Sequence, residues 1–116
     1  MADKLLLPGY GGLYTSESFT SSSTTGADTI DCSRCRQLAI QVSSTGAPGG
    51  NLDIQATING SDWAAMPAPF ANIAVTDGTL VLADEADGPF GKLRIDATDI
   101  TAGTDETIVV TIVGFE

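Results

Sequence analysis

The sequence has no histidine, which removes the commonest general base and the commonest metal ligand together. A Ser-His-Asp or Cys-His mechanism and a conventional catalytic zinc site are thereby excluded. Basic residues are scarce as well: five Lys and Arg stand against fifteen Asp and Glu, a net charge of −10. Binding to nucleic acid needs a Lys/Arg surface that releases counterions from phosphates, and an anionic membrane attracts the same kind of surface. Neither partner is expected. Long apolar runs are missing too. Leu5 to Leu7 is a run of three, where a signal peptide core needs about seven, and nothing approaches the ~18 apolar residues of a membrane span. The chain is expected to be soluble and made in a cytoplasm. Its two cysteines supply no disulfide framework. Taken together, these absences make catalysis the poorer expectation, with no cofactor and no metal.

What is present points to strands. The 116 residues suffice for one domain, Thr and Ser make up about a fifth of them, and no segment carries a clean apolar stripe at helical spacing. Residues 1–27 read as an extended Gly/Ser/Thr-rich arm, with Pro8 to Gly12 and Ser21 to Gly26 as poor core material. Within it, Leu13 to Phe19 suits a strand added to a neighbour's sheet. Residues 28–116 read as the body. Leu38, Ile40 and Val42 alternate with polar or small partners in one strand, and Leu52, Ile54, Ala56 and Ile58 do so in the next, ahead of an Asn59-Gly60 turn. Pro67 and Pro69 bar a regular central strand until Asn72. Short strands then follow at Ile73 to Thr76, at Thr79 to Ala83, and where Leu93, Ile95 and Ala97 face inwards. The last run, Thr107 to Phe115, is apolar on both faces, as a central strand or one in a subunit contact would be. The fold class is all-β: a single antiparallel β-sandwich or jelly roll with an extended N-terminal arm.

Four features could carry chemistry, and each also has a plain structural explanation. Cys32-Ser33-Arg34-Cys35 has redox or half-zinc spacing, and Arg34 and Arg36 would lower a thiol pKa. Zinc needs two further ligands that the chain lacks, so structural cysteines at a strand start are the expectation, ahead of a local disulfide. Asn59-Gly60-Ser61 matches a glycosylation pattern, but a hairpin turn explains it. Trp63 could be a sugar-stacking platform assisted by Tyr10 and Tyr14, although a small sandwich commonly uses its single Trp as a core anchor. Asp84, Glu85 and Asp87 in one loop, and Asp96, Asp99 and Asp105 around another, invite calcium. Neither loop has the spacing of a known calcium loop, and solvated charges guarding sheet edges account for both.

An alternating strand that ends in a polar turn and a Trp, Leu52 to Trp63, is followed by a Pro-rich segment, by Leu93-Arg94-Ile95, and by the apolar closing strand Thr107 to Gly114. In pattern and order, residues 36–115 resemble small all-β virion proteins of tailed bacteriophages. The group includes capsid decoration (cement) proteins and head or tail accessory proteins. The resemblance implies a structural virion protein, made in the host bacterial cytoplasm, which binds and stabilises a capsid and self-associates, often as a homotrimer. Its partner would be the major capsid protein or another virion protein. A head-to-tail, tail or fibre-base component and a carbohydrate-binding β-sandwich module are the alternatives. Leu5, Leu6 and Leu7 would anchor the arm, which would order only when bound, with Tyr10 and Tyr14 beside them. Val109 and Val113 on the two-faced last strand would supply a subunit contact. Deleting residues 1–12 would then leave the fold intact.

Overall fold

The computed structural model describes residues 4–6, 13–16, 18–20, 29–84, 86 and 91–116. Two sheets face one another across a shared core. One is built on β5 (Gly49–Thr57), flanked by β9 (Lys92–Asp96), and it extends outwards through β3 (Ile30–Asp31) to β1 (Lys4–Leu5). The short strands β6 (Ala64–Ala65), β7 (Ile73–Ala74) and β10 (Ile100–Thr101) also pair with β5. The second sheet has the order β2 (Leu13–Thr15), β11 (Thr107–Phe115), β4 (Gln37–Thr45), β8 (Thr79–Ala83). Every pairing is antiparallel except that of β1 with β3. The protein is an all-β sandwich.

Side-chain alternation dictates this arrangement. Leu38, Ile40 and Val42 of β4 and Ile108, Val110 and Ile112 of β11 are buried, and they meet Leu52 and Ile54 of β5 and Leu93 and Ile95 of β9. The register sets Ile112 opposite Ile40 and Ile95 opposite Ile54, so apolar pairs stack on the inner faces. Residues 97–99 stand opposite only two residues of β5, 51 and 52, which bends the strand between β9 and β10.

Three expectations are corrected here. The described parts of the N-terminal segment do not form a free arm. Leu13 to Thr15 pair with β11 of the same chain, Phe19 bridges Ile108, and Leu6 is 2 % exposed, its N–H donating to Asp31 O at 2.8 Å. An apolar side chain beside an open sheet edge is better buried than hydrated, so the segment folds back on its own body. Ile58 does not continue the inward set. β5 ends at the buried Thr57, and residues 58–63 loop round to β6, leaving Ile58 fully exposed. Asn59 holds that loop, its Oδ1 accepting from the Ser61 and Asp62 amides at 2.8 and 2.9 Å, while Gly60 takes a φ of 84°. Trp63 is half-buried, and among the described residues the aromatic side chains buried in the core are Phe70 and Tyr14.

Candidate interaction surface

The outer face of the four-stranded sheet stands out by what it presents. From β2 it takes Leu13 and Thr15, and from β11 Thr107, Val109, Thr111, Val113 and Phe115. From β4 come Gln37, Ala39, Gln41, Ser43 and Thr45, and from β8 Leu80 and Leu82. None of these side chains is charged, on a chain with a net charge of −10. One row crosses the whole sheet in register: Leu13 opposite Val113, Val113 opposite Ala39, Ala39 opposite Leu82. Leu13, Leu80, Leu82 and Phe115 are 61, 59, 68 and 44 % exposed. Single exposed leucines are ordinary, but apolar residues aligned across four strands make this face the candidate for an interaction surface. At one end of the face, Gln37, Leu38, Leu82, Ala83, Asp84 and Phe115 line a shallow cleft.

The other sheet presents a contrasting outer face. There Asp53 stands opposite Asp96, Gln55 opposite Arg94, and Thr57 opposite Lys92. Arg94 Nε donates to Gln55 Oε1 at 2.7 Å, and its guanidinium lies 4.4 Å from the centre of the Trp63 ring. Arg94 therefore caps a face of Trp63 that a stacking platform would leave open.

The two cysteines lie on a tight turn. Asp31 Oδ1 accepts from the Ser33 amide and hydroxyl at 3.0 and 2.6 Å, and Cys35 N–H donates to Cys32 O at 3.1 Å. The Ser33 bonds hold the Asp31 carboxyl below its ordinary pKa. Both thiols are free and buried. Burial pushes Cys32 up to about 12 and also raises Cys35, whereas Arg34 and Arg36 are exposed. The thiolates needed for redox or metal chemistry are thus suppressed. Cys35 Sγ instead bonds to the Leu6 carbonyl at 3.4 Å, helping to fix the N-terminal segment.

The residues expected to meet partners fall in different places. Leu6, which follows β1, and Tyr14, on the buried side of β2, are core residues. Leu5 is 50 % exposed, and Leu7 and Tyr10 lie outside the described residues. Val109 and Val113 are half-buried on the uncharged face. Leu80 and Leu82 belong with them, and the sequence carried a signal for both, because Thr79 to Ala83 is apolar on each side in the same way as β11. Among the described residues no group of three or more Cys, Asp or Glu could hold a metal ion. Of the acidic loops, Glu85 and Asp87 lie outside the described residues. Among the described residues, no helix is long and apolar enough to cross a membrane.

No known family model matches the chain, and no curated protein sequence does. Among solved structures, the chain is similar to the crystal structure of SPBc2 prophage-derived protein YomS. The TM-score is 0.51 and the identity 15 %, over 87 % of this chain and 93 % of that one. The likeness is one of fold.

Proposed function

We propose that this chain is a structural component of a tailed-phage particle, in a capsid decoration role, and that it acts by assembly rather than by catalysis. The observation that carries the reading is the uncharged, apolar-striped sheet face on an otherwise strongly acidic chain. A surface of that kind is costly to leave in water and serves a protein that spends its working life in an assembly. The shared fold with a prophage-derived protein supports the phage setting. The partner is the major capsid protein or another virion protein, and Leu5 and Leu13 are described apolar residues of the N-terminal segment left exposed to touch it.

The test is quantitative mass spectrometry of gradient-purified particles made by the phage or prophage that encodes this chain. A decoration protein sediments with the particles in a copy number comparable with that of the capsid subunit. A handful of copies per particle would move the chain to the neck, tail or fibre base. Recovery only in the unassembled fraction would end the structural reading.

A further inference from the structure

We infer that the uncharged face is a homotypic interface, on which the β2-β11-β4-β8 sheets of two copies of this chain pack face to face about a two-fold axis. Charge selects the occupant. Each copy carries −10, so most approaches of one copy to another bring acidic surface against acidic surface. Among the described residues, the strands of the second sheet bring no charged side chain to such a contact on their outer face. A basic partner would gain nothing here, because its attraction lies with the acidic surfaces elsewhere, such as the Asp53 and Asp96 pair on the opposite sheet. A second copy has the opposite preference.

Shape and extent agree with this assignment. Ala39, Ser43, Thr111 and Val113 are short side chains, which lets two sheets approach to the ~10 Å of ordinary face-to-face packing. Strands of three, nine, nine and five residues, at ~4.8 Å between strands and ~3.4 Å per residue, cover roughly 420 Å². That footprint is about half of the roughly 800 Å² that each partner contributes to a standard interface, the size of a weak, reversible contact. The Leu13-Val113-Ala39-Leu82 row supplies a charge-free apolar band towards the Gln37 and Phe115 end of the face. An isologous contact consumes the same patch on both copies, so the assembly through this face closes at two and not at the three that the resemblance implies.

This dimer needs no capsid, so it stands or falls separately from the virion reading. The test is sedimentation equilibrium of the full chain up to about 100 µM, a range that detects micromolar dissociation constants. It is run at low and high salt for the wild type, Leu82→Arg, Leu80→Arg and an Ile58→Arg control, with thermal unfolding confirming that each variant is folded. Leu82 and Leu80 are exposed, so neither substitution disturbs the core. The expected result is a reversible dimer that tightens as salt screens the like net charges. Either leucine variant should weaken it by at least about a hundredfold, because a symmetric contact buries the new charge twice. Ile58→Arg should leave it unchanged. A wild-type monomer throughout the range would overturn the inference. So would an oligomer of any order that both leucine variants leave at full strength.

Discussion

Replacing Leu6 with Ala tests whether the N-terminal segment belongs to the fold. Leu6 is 2 % exposed, its amide donates to Asp31 O at 2.8 Å, and its carbonyl accepts the Cys35 thiol at 3.4 Å. Truncating a buried Leu costs about 2–5 kcal/mol, depending on how far the site collapses, and the short β1 permits some collapse. We therefore expect about 2–3 kcal/mol. At this chain length each kcal/mol shifts the melting temperature by roughly 3–6 °C, so the midpoint should fall by about 6–18 °C. In urea the midpoint should drop by ~1–2 M with an unchanged slope. Leu5→Ala is the control, because Leu5 is half exposed and its truncation should cost under about 1 kcal/mol. Deleting residues 1–12 should destabilise at least as much as Leu6→Ala. A Leu6→Ala protein within about 0.5 kcal/mol of wild type, or one matched by Leu5→Ala, would refute the reasoning.

Three further outcomes are expected. Gly114→Ala drives a methyl group into the Cys35 sulfur and towards Leu6, which should cost about 1–3 kcal/mol by chemical denaturation; adding Cys35→Ala should restore most of the loss. The Cys32 thiol is raised to about 12 by burial, so its contribution to stability is complete below the ordinary thiol value and is lost as pH rises from there towards 12. Urea midpoints measured between pH 8.5 and 11 should fall more steeply for the wild type than for Cys32→Ala, by on the order of 1 kcal/mol per pH unit, and parallel curves would contradict this. Arg94→Ala should uncover the Trp63 ring, shifting its emission to the red and raising its quenching by acrylamide; a wild-type ring already as accessible as the free amino acid would return weight to a sugar-stacking role.

The strands were legible wherever alternation was strict. Leu38-Ile40-Val42 and Leu93-Ile95-Ala97 pointed inwards as their spacing required, and Thr107 to Phe115 proved to be a central strand between β2 and β4. Alternation failed to mark its own end at Ile58, because the chain leaves β5 through Asn59, whose side chain bonds forwards into the loop and not across a two-residue turn. The N-terminal segment misled for a different reason. Gly and Ser on either side made residues 1–27 look like a tether, yet burial of Leu6 and Tyr14 against their own sheets is a tertiary gain that no local pattern displays. The uncharged face was half legible. Val109 and Val113 showed on a two-faced strand, but their alignment with Leu13, Ala39 and Leu82 depends on register between distant strands, which sequence spacing does not encode.

The most direct measurement is hydroxyl-radical footprinting of the chain in its assembled state against the dilute monomer. Oxidation at Leu80, Leu82 and Phe115 should fall severalfold on assembly, while the fully exposed Ile58, away from the face, reacts equally in both states. Protection at Ile58 with Leu80, Leu82 and Phe115 unchanged would contradict the account, because assembly would then use a surface other than the uncharged face.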